Sequence, residues 1–498
     1  MQFSEEGQLK RELGLFSLVA LIVGSMIGSG IFFLPGSMLA QLGQTEDGVI
    51  HVVGGAGPVM AAWVVGALIA LCGGLMFAEL GGAFPKTGGQ YAFLRDATGK
   101  LPAFMFSWTA FAVVQTGTIA AVAVAFAYAI DRILVKLGLD GLPGTPVDLG
   151  FVKIPPYGVA FVAVAVTSLL TWVNYRGVKH GAWVSNIATV AKVAALAFVV
   201  FASFGFAPGS GSFSGPGLSF AGFSLAAFGA AASASLFAYD GFAQATFVAG
   251  EVKDARRVLP RAIVIATLLV GAIYLTAVAA FFHAVDAAEA SQGVLNTTDF
   301  IGLEAANVSL GGWAVVLLAI GIAVSTFGTV NAYILSSPRI YHSVAKDREF
   351  PRPFGHLSMH GTPTYGLVYG CLWAGFLTLT GSFDTLANLV VFGLYVFYLV
   401  TVVAYFILRR RHREAFRAFR IPLSPLPAIV FGVAAVGVLV SLAVDDIGAI
   451  AQEGWAAFAG STTGLGATLI LSGLLLYWAQ GRSKARKAAM ARDPLEHQ

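Results

Sequence analysis

The chain has 498 residues, 57% of them hydrophobic and only 11% charged, with a mean hydropathy of +0.79. No water-soluble domain of this size can hide so much apolar surface, so the composition points to an all-α polytopic membrane protein. The net charge of +4 follows from an uneven placement of basic residues and gives no case for a nucleic-acid partner.

Hydropathy predicts twelve spans, at 13–40, 58–84, 102–131, 156–174, 183–206, 222–250, 262–284, 311–338, 364–381, 384–408, 426–444 and 464–480. The twelve leading residues are hydrophilic and span one is too long for a signal core, so no cleavable leader is expected. All but four of the 30 Lys and Arg fall in the tail 1–12, the even-numbered connections and the tail 481–498. The exceptions are Arg132, Lys136 and Lys153 on the opposite side, and Lys192 within span five. Both termini are therefore expected on the cytoplasmic face of a plasma (inner) membrane. The runs Arg409–Arg413 and Arg482–Lys487 read as anchors touching anionic headgroups.

Gly141–Pro155 and Pro208–Gly217 read as exterior loops, and no soluble domain fits anywhere. Cys72 and Cys371 lie inside spans without CxxC spacing, and the eight histidines show no ligand pattern. No disulfide, metal or cofactor is expected. His283 and the sequons at Asn296 and Asn307 fall near an exterior loop.

Span one carries Gly24-Ser-Met-Ile-Gly-Ser-Gly30 at its middle. Each glycine costs about 1 kcal/mol relative to alanine in a helix, and a freed amide in hydrocarbon costs several kcal/mol more unless something binds it. A broken helix there presents unpaired N–H groups to an anion at the start of its second half. The alternative is close helix packing through the Gly24–Gly28 pair. Span six repeats the peculiarity: it is apolar to Phe237, breaks at Ala238-Tyr-Asp-Gly241, then resumes towards Gly250. The breaks fall at the first helix of each of two five-span blocks, 13–206 and 222–408, with 426–480 outside the repeat. Five is odd, so the second block is inverted, and paired interrupted helices in an inverted repeat point to a transporter site at the bilayer midplane.

Several motifs carry a resemblance. They are Val23-Gly-Ser-Met-Ile-Gly-Ser-Gly-Ile-Phe32, Ala78-Glu-Leu-Gly-Gly-Ala-Phe-Pro-Lys-Thr-Gly-Gly-Gln-Tyr91 and Phe237-Ala-Tyr-Asp-Gly-Phe242. Gly250-Glu-Val-Lys253 with Leu259-Pro-Arg-Ala262, and Phe327-Gly-Thr-Val-Asn331 with Ser336-Ser-Pro-Arg339, complete the set. Over residues 10 to 445 the chain resembles the amino acid–polyamine–organocation superfamily, and within it the L-type amino acid transporters and their bacterial relatives. The resemblance implies a LeuT-like five-plus-five inverted repeat of twelve helices with helices one and six broken. It implies a secondary active L-amino acid transporter, either a sodium-independent exchanger or proton-coupled. A cationic amino acid or polyamine antiporter is an alternative, and a non-transporting amino acid sensor is one of a different class. No nucleotide-binding loop or catalytic cluster suggests an enzyme.

By the same resemblance, amides of Gly28, Ser29 and Gly30 hold the substrate α-carboxylate. Carbonyls around Met26 and Ile27, and near Phe237 and Ala238, take its ammonium, and Phe237 gates the site; Tyr239 and Gly241 belong to the same break. Asp240 either caps the second half-helix through amides at Phe242 and Ala243, or contacts a cationic side chain or a proton; the cap is the favoured reading. The Lys192 ammonium stands in for a sodium ion between spans one, five and eight, either as a reversible proton carrier or as a fixed structural cation. Glu79, Glu251, Arg257 and Arg339 read as inner-gate ion pairs or as a solvated rim. Asn331 is expected to orient the span-one loop. L-type transporters of animals join a glycoprotein through an exterior cysteine after span three. Residues 132–155 contain none, so no covalent heavy-chain partner is expected.

Overall fold

The computed structural model describes residues 11–492 apart from 43, 47–48, 52–55, 149–152, 210–211, 214–224, 287–300, 382, 416–418, 422 and 454–460. Asn296, the first residues of span six, most of Pro208–Gly217 and most of the N-terminal tail lie outside that set. Among the described residues, ten helices are long and apolar enough to cross a membrane. They answer to spans one to five, seven, eight and ten to twelve. Span six is divided, its apolar part reduced to Ala227–Ala238. Span nine is Thr364–Thr380, 17 residues ending at an extended glycine, Gly381.

Several helices run beyond the hydropathic windows, because a helix does not stop where its lipid-facing stretch does. Span five starts at Val178, span seven at Ala255, and span three continues to Lys136. Span three also contains a π-helical stretch, Ala110–Val114, between Lys100–Thr109 and Gln115–Lys136. Three further helices were not foreseen: Gln90–Thr98, Ile301–Leu310 and Pro338–Lys346. The last begins on a proline, whose fixed φ and missing N–H suit a first helical turn. Two short antiparallel strand pairs, Gln44–Glu46 with Val49–His51 and Val147–Asp148 with Lys153–Ile154, sit in connections.

The two broken spans occupy the middle of the molecule. Span one packs against spans five, seven and eight, and span seven packs along span two. The main apolar core runs through both breaks, taking in Ile27, Trp63, Ala238, Phe242 and Tyr274. The connection after span two folds against the end of span six. The Gly88 amide donates to the Phe247 carbonyl at 3.1 Å. A Cβ at Gly89, whose φ is +45°, would lie 2.2 Å from the Thr246 hydroxyl, so only glycine permits this approach. The Gln90–Thr98 helix is held by Tyr91 donating to Asp347 at 2.7 Å and by Gln90 donating to the Phe397 carbonyl and to Thr401. Burial and the Asp347 carboxylate both push the Tyr91 phenol above its ordinary range. Residues 12–13 pair with the chain just past span six: both Glu12 and Leu13 donate amides to the Glu251 carbonyl at 2.9 Å.

Candidate functional site

Helix Leu15–Met26 ends, residues 27–29 leave the helical path, and Gly30–Leu42 resumes. In span six, Leu225–Ala238 ends, five residues turn, and a single turn of helix follows at Gln244–Phe247. The breaks touch. Ser25 donates to the Gly241 carbonyl at 3.3 Å, and a Cβ on Gly30 would lie 3.0 Å from that of Ala238. Gly241 has φ +133°, and a Cβ there would meet the Ser25 hydroxyl at 2.6 Å, so the crossing demands glycine twice over. One hydroxyl joins the two: Tyr274 of span seven donates to the Met26 carbonyl at 2.6 Å and lies 3.2 Å from the Ala238 carbonyl.

The open carbonyl end of the first half-helix is closed by side chains from spans five and eight. Lys192 Nζ donates to the Gly24 carbonyl at 2.9 Å, to the Ile27 carbonyl at 2.5 Å and to Thr329 Oγ1 at 3.0 Å. Thr329 Oγ1 lies 2.8 Å from the Gly24 carbonyl and 3.0 Å from that of Ile27, and Ser325 donates to the Ile27 and Gly28 carbonyls at 3.0 and 3.2 Å. A cation at a helix C-terminus faces the negative end of the dipole, and here both partners are dry. The position of Lys192 thus follows from the charge it meets.

On the amide side, the second half-helix begins with free donors. Phe32 and Phe33 donate back to the Ser29 carbonyl, whereas the amides of Ser29, Gly30 and Ile31 have no protein acceptor among the described residues. The Ser29 hydroxyl is likewise buried and unpartnered. Such a cluster at a helix start suits an anion. Two expectations need correction. The Gly28 amide is turned back to the Met26 carbonyl at 3.0 Å, so the free donors are shifted one residue on. The Ile27 carbonyl faces Lys192, Thr329 and Ser325, which leaves it little capacity for a substrate ammonium.

Asp240 does not cap. Its Oδ1 accepts from Tyr398 at 2.6 Å and its Oδ2 from Tyr333 at 2.9 Å, with no bond to the amides of Phe242 or Ala243. The second half-helix is one turn long, too short to offer a well-aligned row of amides to a cap. No basic side chain among the described residues contacts the carboxylate. Tyr239 lies away from the amide cluster: its ring packs on Trp63 and Tyr274 and its hydroxyl donates to the Trp63 carbonyl. Phe237 is half-buried against the main core.

A small cavity with about 10 Å³ of water-accessible space, room for roughly one water, adjoins Asp240. Gln90, Thr109, Gln115, Gln244 and Tyr398 supply its polar lining, and the π-helical stretch of span three forms one wall.

Of the charged residues expected at the inner gate, Glu251 and Arg339 form a two-pronged pair at 2.7 and 3.2 Å, each 1% exposed. Glu79 meets Arg409 at 3.1 Å and accepts from Tyr405 at 2.9 Å. Arg257 is apart from both; it is 79% exposed, with only Asp254 nearby at 3.9 Å. It is the third residue of its helix, and its side chain points to water rather than to span eight. Asn331 faces the opposite way from the span-one loop, donating to the Gly181 carbonyl and accepting from Asn174 at 2.8 Å each.

Sequence reading missed Tyr274, Ser325, Thr329, Tyr333 and Tyr398, and it placed Arg409 in a headgroup anchor, whereas that guanidinium turns inward to Glu79. Thr329 lies inside the Phe327–Asn331 motif, two residues before Asn331. Nothing local marks the tyrosines, which are three among 14.

A profile of the family described as amino acid permease matches residues 13–467, taking in both breaks. The chain belongs to the amino acid permease family. Over 486 residues it is 29% identical to the serine/threonine exchanger SteT of Bacillus subtilis, covering 97% of this chain and 99% of that protein. It is 28% identical to the mouse b(0,+)-type amino acid transporter 1 (94% of this chain, 88% of that protein) and 32% identical to the rabbit large neutral amino acids transporter small subunit 2 (83% and 73%). It is therefore a membrane transporter of the APC superfamily, similar to the L-type branch, and not an enzyme.

Proposed function

We propose that this amino acid transporter is a sodium-independent exchanger working by alternating access, on a twelve-helix frame of two inverted five-helix repeats with both termini cytoplasmic. The observation that carries this is the contact of two interrupted helices, bridged by Tyr274, beside three free amides. Amides of Ser29 and Gly30, joined by Ile31, hold the α-carboxylate. The α-ammonium lies against carbonyls of the span-six break near Phe237 and Ala238, and Phe237 closes over it. Lys192 occupies the place of a coupling cation between spans one, five and eight, so exchange needs no metal ion. The Glu251–Arg339 and Glu79–Arg409 pairs close the cytoplasmic side. The three relatives named are all amino acid transporters or subunits of one, and one is titled an exchanger, which supports the reading.

Counterflow in proteoliposomes tests it. Vesicles loaded with unlabelled L-serine should accumulate external labelled L-serine without sodium or a pH gradient; a protein that binds but does not accumulate label is a sensor. Asp240, a buried carboxylate without a basic partner, favours a second reading as a cationic amino acid antiporter. In that case lysine and arginine uptake should fall selectively in Asp240→Asn.

A further inference from the structure

The cavity beside Asp240 carries a pattern that the α-carboxylate and α-amine do not explain. Resting on the transporter reading above, we infer that its floor selects substrates by a side-chain hydroxyl, and that Gln115 and Thr109 are specificity-determining residues. Three polar groups on its lining have capacity left. The Gln115 carbonyl oxygen accepts from Gln244 at 3.4 Å, and Gln244 in turn accepts from Ser336 at 2.7 Å. This chain fixes the Gln115 amide with its oxygen turned away, and its Nε2 donor has no acceptor among the described residues. The Thr109 hydroxyl is fully buried and unpartnered. Asp240 accepts from Tyr333 and Tyr398 on separate oxygens and from the Gly241 amide, which leaves one of the carboxylate's roughly four lone-pair sites open. The cavity therefore offers an N–H donor, a carboxylate acceptor and a hydroxyl in a space of one water.

A hydroxyl satisfies both sides at once, accepting from Gln115 and donating to Asp240. An ammonium or guanidinium has no lone pair for Gln115 Nε2 and exceeds the space. A methyl group fits but leaves two buried polar groups unmet, the situation in which a site rejects an isostere most strongly. An acidic side chain meets Asp240 as a like charge. The π-helical stretch matters here, since it joins Thr109 to Gln115 and both reach the same cavity.

The test compares L-serine with L-2-aminobutyrate, which replaces the hydroxyl by a methyl, and with L-lysine, in counterflow on the purified full-length protein. Wild type should favour serine over 2-aminobutyrate by at least tenfold in kcat/KM. Gln115→Leu and Thr109→Val should each lower that ratio at least fivefold, whatever they do to the overall rate. Equal use of serine and 2-aminobutyrate by wild type, preference for lysine, or a ratio unmoved in both variants overturns the inference while leaving amino acid exchange standing. Exchange of no amino acid removes the transporter reading beneath it. If Gln115→Leu does not fold, as a melting curve would show, the wild-type ratio and Thr109→Val decide.

Discussion

The two helix breaks solve one problem with opposite charges. In span one, the carbonyls exposed by the break are closed by an outside cation, Lys192, with Thr329 and Ser325 beside it. In span six, the break carries its own anion, Asp240, held by outside hydroxyls from Tyr333 and Tyr398. The first break keeps amides free and its carbonyls committed, while the second commits its carboxylate only in part. Irregular backbone in lipid survives where neighbouring helices bring partners, and the kind of partner decides which groups stay available for a ligand.

The largest loss of transport expected from breaking this comparison is at Lys192. Lys192→Ala removes the donor to two buried carbonyls and leaves a void, and should cost about 3 kcal/mol of stability with loss of counterflow. Asp240→Asn should cost far less, since an amide oxygen still accepts one phenol; similar melting temperatures for the two variants would refute the asymmetry. Next comes the anchor below span six. Arg339→Ala leaves Glu251 buried and uncompensated, an expected loss of about 3–5 kcal/mol in chemical unfolding, and adding Glu251→Ala should restore part of it. Tyr333→Phe and Tyr398→Phe each remove one hydrogen bond to a carboxylate, about 1.5–3 kcal/mol if Asp240 is ionised, and the double variant should fall short of the sum because they share one partner. Arg257→Ala should be the smallest, within about 0.5 kcal/mol and with unchanged counterflow, because its side chain is in water.

Much of the architecture was legible because lipid leaves the backbone few choices. Apolar runs had to be helices, and the glycine-rich and Asp-Gly stretches at 24–30 and 238–241 had to interrupt them, as they do. The glutamate and arginine following spans six and eight, Glu251 and Arg339, could be named as gate candidates from their motifs. Arg257 could not be told from them, since periodicity says nothing about which of two nearby arginines points inward.

What composition and pattern determined by themselves was that this chain spans a membrane, where its backbone gives way, and which ionisable groups are stranded at depth. Only the tertiary structure decided their partners: Lys192 with span one, Asp240 with Tyr333 and Tyr398, Glu79 with Arg409. These contacts join residues 93 to 330 positions apart. Local propensity acts over a few residues, whereas the need to satisfy a buried polar group is met by whatever the packing brings within 3 Å.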